Sequence, residues 1–172
     1  SDLDHVNLDN LGILVMATNE TYLTQEGLIQ LQDELKSLKT YRRPELAAGI
    51  RKALENGGDA DNAEYDEIKN QQGIAEGRII YLEDLLAKAT VAPKNNGGKS
   101  GIISFGSSIT VQNETGGKLK YTIVGSAESA PLENKISIES PVGSSLIGHK
   151  VGDKITIKTP SGKSQLKIIK IH

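Results

Sequence analysis

Asp59 and Asp61 stand in a short glycine-led turn, Gly57-Gly58-Asp59-Ala60-Asp61, between two long helical patterns. A carboxylate pair at the end of a helical hairpin has no core to bury against, so its chemistry is directed at another molecule. A plainer reading stands beside this one. Asp61 followed by Glu64 has capping-box spacing, the acid capping a helix and Glu64 reaching back, and one carboxylate can serve both purposes. Asp59 has less structural reason to be there, although solvated turn aspartates are common. Asp66 and Glu67 read as solvated helix face, and Tyr65 as a packing residue beneath the tip.

The flanking patterns must hold this turn. Thr24 is placed to cap a first helix, with Gln25 and Glu26 in its first turn, where an acid suits the helix dipole. Leu28, Leu31, Leu35 and Leu38 then recur at coiled-coil spacing. Tyr41, Leu46, Ile50 and Leu54 continue the seam more loosely. Pro44 lacks an N–H and disfavours helix at Arg43, which predicts a kink or brief break before a second piece to about Glu55. Gly57-Gly58 ends that piece. A second helix starts near Asn62, with Ile68, Gln72, Ala75, Ile79, Leu82 and Leu86 as its seam. Two such helices joined by a short turn run antiparallel, each covering the other's seam. Roughly thirty residues give a rod on the order of 45 Å. Gly73 and Gly77 lower its helix propensity.

Pro93 to Gly101 is a linker by composition. Gly98-Lys99-Ser100 resembles the end of a phosphate loop, but that motif needs a glycine where Pro93 stands. Gly162-Lys163-Ser164 fails likewise, with Ile157 in that place. Beyond the linker the hydrophobic period changes to two. Ser108 to Val111, Tyr121 to Val124, Lys135 to Ser140, Lys154 to Lys158 and Leu166 to Ile171 read as strands. Gly116-Gly117 and Pro160-Ser161-Gly162 supply hairpin turns. Leu132 to Lys135 and Gly143 to His149 read as turns or one short helix. The second half is thus a small, mostly antiparallel sheet, and the fold class is α+β.

Aromatic side chains are only 3% of the 172 residues, which argues against one thick aromatic core and for two smaller units. A formal charge of −2 argues against nucleic-acid binding by bulk electrostatics but leaves room for a local basic face. No cysteine is present, and His5, His149 and His172 are widely separated, so the sequence offers no zinc pattern. No apolar run approaches the ~20 residues that span a bilayer. The run Gly12 to Ala17 follows Asp2 and Asp4 instead of basic residues, unlike a secretion signal. The chain reads as soluble and cytoplasmic, and the Asn-x-Thr triplets at Asn19 and Asn113 as chance.

Several separated motifs resemble the bacterial Gre-type transcript cleavage factors. The opening TYLTQEGLIQLQDEL, the pair Arg43-Pro44, Asn62-Ala63-Glu64-Tyr65, and Gln71-Gln72-Gly73 through Glu76-Gly77-Arg78-Ile79 match the first half. Tyr121-Thr122-Ile123-Val124-Gly125, Ile136-Ser137, Ser140-Pro141-Val142-Gly143, Leu146-Ile147-Gly148 and Gly152-Asp153 match the second. Their order and spacing make the likeness specific from about Tyr22 to Ile171. Met16, the only methionine, lies just before it, so residues 1–19 are set apart as a leader or vector-derived segment. Residues 20–91 then form the coiled coil, 92–101 the linker and 102–172 the second domain.

The resemblance implies an N-terminal antiparallel coiled coil and a C-terminal domain of FKBP-like fold. It implies that the second domain docks at the rim of the secondary channel of bacterial RNA polymerase, through a loop matching Ser140, Pro141, Leu146, Ile147 and Gly148. The coil enters the channel, and Asp59 and Asp61 help the polymerase active centre hold a second Mg2+ and a water, so that backtracked RNA is cleaved. Arg42, Arg43, Arg51 and Lys52 would lie near the nascent RNA 3′ end, or form a solvated face. The chain itself would be neither an enzyme nor the owner of a cofactor. The tip departs from the family pattern, which carries Glu at position 61 and Asp at position 58. Here the second acid is Asp59, one position along. A homologue that inhibits or modulates polymerase through the same channel therefore stays open beside the activator. The FKBP-like label does not bring isomerase or chaperone activity with it.

Overall fold

The computed structural model describes residues 21–57, 63–92 and 101–172. They fall into two compact units. Glu26–Lys88 forms one, and the segment before it folds with Ala89–His172 as the other.

The helical unit begins with α1, Gln25–Ser37, which continues through a π-helical turn, Leu38–Arg42, into α2, Arg43–Gly57. The predicted break at Pro44 is absent. Instead the Arg43 N–H reaches back to the Leu38 carbonyl, five residues away. The wider turn accommodates a proline that has no N–H and would crowd the carbonyl four residues earlier. It also inserts one residue into the heptad. Beyond Leu38 the inward positions become Arg42, Leu46, Gly49 and Ala53, and Tyr41 and Leu54 point out, 71% and 52% exposed. The sequence seam through Tyr41 and Leu54 is thus displaced by one residue. The second long helix, α3, spans Ala63–Lys88 and buries Ala75, Ile79, Leu82 and Leu85.

α3 runs antiparallel to α1 and α2. Glu34 pairs with Arg78, Arg42 with Gln71, and Gly49 lies against Ile68, so rising numbers on one side meet falling numbers on the other. Lys39–Glu83 and Arg43–Glu76 are further ion pairs across the hairpin. Nearer the connection the helices approach closely. A Cβ on Gly49 would stand 3.3 Å from Ile68 Cδ1.

The second unit opens with β1, Tyr22–Leu23, which pairs in parallel with β2, Thr90–Val91. The segments just outside the helical unit are thereby joined to each other. Tyr22 and Ala92 enter the core of this unit, and the Tyr22 ring meets Phe105 edge-on at 6.3 Å. Thr24 is held by Glu128, whose carboxylate accepts from its backbone N–H at 2.7 Å and from its hydroxyl. No periodicity in the sequence announces this pairing.

The main sheet has strands β3 Ser108–Asn113, β4 Lys118–Val124, β5 Lys135–Ser137, β6 Lys154–Thr159 and β7 Gly162–Ile171, in the order β5-β4-β3-β7-β6. All neighbours are antiparallel except β4 and β5. The alternation follows from burial on one face: Ile109, Val111, Ile123, Ile155, Ile157, Leu166 and Ile168 point into the core. Gly116 takes the β3–β4 turn at φ 85°, where the Asn113 side chain also accepts from the Gly117 N–H at 2.7 Å. A short helix α4, Pro141–Leu146, packs Leu146 and Val142 against the core. The expected α+β order, helical hairpin then sheet, is what the chain adopts.

Candidate functional site

The acidic turn lies in the connection between α2 and α3. Asp59 and Asp61 themselves are outside the described residues, as are the leader 1–19 and most of the linker, 93–100. What the structure gives is the support. Ala53 is fully buried, Ile68 and Tyr65 are half-buried, and Glu64, Asp66 and Glu67 are exposed. Tyr65 is thus partly packed, and Asp66 and Glu67 form a solvated face. Glu67 accepts from the Gln71 amide one turn on, at 2.8 Å.

The four basic residues read from the sequence separate into two pairs. Arg42 donates to Glu45 and to Gln71, each at 2.7 Å. Arg43 grips Glu76 with two parallel hydrogen bonds of 2.7 and 2.8 Å. Arg78 grips Glu34 the same way, at 2.7 and 2.9 Å, and also lies 5.3 Å from the Tyr81 ring centre. These bonds hold the Glu76 and Glu34 carboxyls below their usual range and raise the two guanidinium values. Arg42 and Arg43 thus stitch the hairpin. Arg51 and Lys52, exposed and two turns nearer the acidic connection, remain open to a polyanion.

The loop marked by Ser140, Pro141, Leu146, Ile147 and Gly148 is built around α4. Ser140 caps the helix, its hydroxyl accepting from the Gly143 N–H at 3.0 Å and donating to the Ser137 carbonyl at 2.7 Å. Pro141 follows at a first-turn position that needs no N–H. Gly143 cannot carry a side chain, because a Cβ would meet the Ser137 carbonyl oxygen at 2.0 Å. Leu146, named with the docking loop, is a core residue and presents no side chain to a partner. Its side chain is fully buried, because one turn of helix aims it at the sheet. Pro141 and Gly148 are exposed, Ile147 is half-buried, and Gly148 takes φ 81°.

Among the described residues no group of three His, Cys, Asp or Glu side chains could hold a metal ion, and no helix is long and apolar enough to cross a membrane. By residue type, Asp59 and Asp61 offer hard oxygen donors of the kind magnesium takes, enough to fill only part of its shell.

Comparison with known proteins agrees with the residue motifs. The family described as transcription elongation factor, N-terminal, matches residues 21–91, and transcription elongation factor, GreA/GreB, C-term, matches residues 98–172. Transcription elongation factor GreA of Clostridium botulinum is 46% identical over 151 residues, covering 87% of this chain and 94% of that protein. GreA of Bacillus cereus is 41% identical over 158 residues, covering 91% and 99%. The crystal structure of GreA factor homolog 1 (Gfh1) of Thermus thermophilus is 30% identical, covers 90% of this chain and 99% of its own, and gives a TM-score of 0.42. With both halves matched in order and relatives alike over nearly their whole length, the chain belongs to the GreA/GreB family of transcription elongation factors.

Proposed function

We propose that this elongation factor binds bacterial RNA polymerase at the rim of its secondary channel and stimulates the polymerase's own cleavage of backtracked RNA. The observation that carries the reading is the stitched antiparallel hairpin, whose helices end at Gly57 and resume at Ala63, with Asp59 and Asp61 in the connection. Ion pairs across the hairpin at Glu34, Lys39 and Arg43 keep the helices in register, so the acids are delivered as a unit. The sheet unit supplies the docking surface through Pro141, Ile147 and Gly148. Ser140 fixes their backbone, and Leu146 anchors the helix beneath.

Asp59 and Asp61 would hold magnesium together with acids of the polymerase. When bound there, the ion supplies charge stabilisation and water activation of the two-metal kind. This chain contributes carboxylates and position, and is not an enzyme by itself. Arg51 and Lys52 would steer the RNA 3′ end, attracting phosphate at long range. Such a factor works in the bacterial cytoplasm, where polymerase is.

The test is a cleavage assay on stalled elongation complexes, made with purified polymerase and the full chain. Shortened RNA with a released 3′ fragment is expected. Slowed nucleotide addition with no cleavage at any magnesium concentration would replace the activator by an inhibitor of the same channel.

A further inference from the structure

The solvent face of the main sheet is built of lysine. Lys118 and Lys120 on β4, Lys154 and Lys158 on β6, and Lys163, Lys167 and Lys170 on β7 all alternate outward and are exposed. The strand register lines them up in rows. Lys118 faces Gln112, Gln112 faces Lys167 and Lys167 faces Lys154. Lys120 and Lys170 flank Thr110, and Lys158 faces Lys163. Strands lie roughly 4.8 Å apart, so Lys154 with Lys167, and Lys158 with Lys163, are directly opposed like charges, an arrangement that costs stability.

A β-bulge extends the face. The register of β3 on β7 shifts between Thr110 and Val111, which leaves Ile169 as the additional residue. Uninterrupted alternation from Lys167 would have turned Ile169 and Ile171 outward. The bulge turns Lys170 and His172 outward instead and lets Ile171 pack against the core. His172 meets Thr110 at 3.0 Å. Partial desolvation, then the charges of Lys120 and Lys170, hold its imidazole below the usual value.

Among the described residues no carboxylate forms an ion pair with any of the seven lysines. Residues 101–172 carry nine lysines, no arginine and five acids, a formal charge of +4 in a chain whose total is −2. Residues 101–172 thus carry a net positive charge, and seven of their nine lysines share one face.

We propose that this lysine face binds the phosphate backbone of duplex DNA without sequence preference. The residues between the lysines are Ser108, Thr110, Gln112, Thr122, Thr156 and Gln165, all polar, and one carboxylate, Glu114, stands at the edge near Lys154 and Lys167, accepting from the Gln165 N–H at 3.2 Å. A protein partner would be met by buried aromatic or aliphatic anchors, with lysine depleted. Nucleic-acid interfaces are instead polar, wet and positive. A single strand would be met by aromatic platforms, but Tyr121 packs toward the core and no aromatic stands among the lysines. Without arginine the face lacks the fork that reads guanine, so backbone attraction remains. The choice of a duplex rests on the polar, aromatic-free composition of the face, and not on the cleavage reading.

The test is fluorescence anisotropy of the full chain with labelled duplexes of two unrelated sequences, at salt from about 50 to about 200 mM. Equal binding to both is expected, with affinity falling steeply as salt rises. In the variant Lys154→Glu with Lys158→Glu, each new carboxylate faces a lysine, so stability is expected to be kept or improved. Duplex affinity should drop at least about tenfold, and the slope of log affinity against log salt should fall by ~0.9 for each phosphate no longer neutralised. A second variant, Lys118→Gln with Lys120→Gln, should lose affinity in the same sense with no charge reversed. The proposal is overturned if the duplex does not bind at low salt, or if both variants bind as tightly as the parent. It is also overturned if single-stranded RNA binds far more tightly than duplex, or if the variants lose polymerase affinity while keeping DNA affinity.

Discussion

A Cβ placed on Gly125 would stand 2.3 Å from the Tyr22 carbonyl oxygen, so the end of β4 and the short strand β1 meet backbone to backbone. Tyr22 and Phe105 pack beside this contact, and Glu128 holds Thr24 from the same side. Gly125→Ala must therefore push β1 off the sheet unit or shift β4. A loss of several kcal/mol is expected, on the scale of severe core overpacking. The check is the melting temperature together with hydrogen exchange at Leu23 and Thr24, which should lose protection first. Gly73→Ala is the matching control: no neighbour lies within 4 Å of its would-be Cβ, and the helix should gain up to ~1 kcal/mol.

The same contact bears on where the chain can be cut. A fragment starting at about residue 102 lacks Tyr22 and Ala92, both buried in its core. It should melt well below the full chain, and adding back residues 21–25 and 89–92 through a short linker should recover much of the difference. Equal melting of the short fragment and the full chain would show that the N-terminal strand adds nothing.

Hairpin stability should depend on pH in a definite direction. Arg78 and Arg43 hold the Glu34 and Glu76 carboxyls below their ordinary range. Carboxylates with depressed folded values stabilise fully above the unfolded value, about 4.3, and that contribution is lost as pH falls through the folded values. Helical circular dichroism should therefore melt at lower temperature near pH 3 than near pH 7. Both pairs are exposed and screened, so the effect is modest and shrinks with salt. Glu76→Gln should remove part of the pH dependence.

The sequence revealed what depends on periodicity and little of what depends on distant contacts. All five strands of the main sheet were legible, because alternation of residues such as Ile155, Thr156 and Ile157 is local. Both hairpin turns were legible from Gly116 and Gly162. The seam was legible to Leu38 and then displaced by one residue, because a proline can be absorbed by a wider turn as well as by a break. The pairing of Tyr22–Leu23 with Thr90–Val91 had no local signal, since two-residue strands have no period. The burial of Leu146 was hidden because one turn of helix is too short to show a face. The basic face was invisible for another reason. Lysines spread over β4, β6 and β7 become neighbours only through the register, and a bulge decides which face Lys170 joins.

Helix α4 separates core from surface within a single turn. Leu146→Asp buries a charge in the sheet core and should unfold the unit. Pro141→Ala changes an exposed side chain and should leave the fold intact, with a loss within about 0.5 kcal/mol. If α4 is the docking surface, Pro141→Ala lowers polymerase affinity at unchanged melting temperature. Unchanged affinity would move the interface elsewhere.

The acidic turn gives the decisive contrast. Asp59→Asn and Asp61→Asn keep size and remove only the charge that, on the proposed reading, attracts magnesium. Asn also caps helices well, so Asp61→Asn separates capping from metal binding. Each should reduce RNA cleavage at least about tenfold while polymerase affinity stays nearly constant, the pattern of a group acting in the reaction and not in binding. Raising magnesium should restore part of the loss, because a weakened site refills by mass action. Gly58→Asp places an acid where the family pattern carries one, beside the existing Asp59. Faster cleavage in that variant would mean that Asp59 serves imperfectly from its shifted position. Unchanged cleavage would mean that Asp59 already fills the role, and cleavage indifferent to both Asn substitutions would remove the turn from the chemistry altogether.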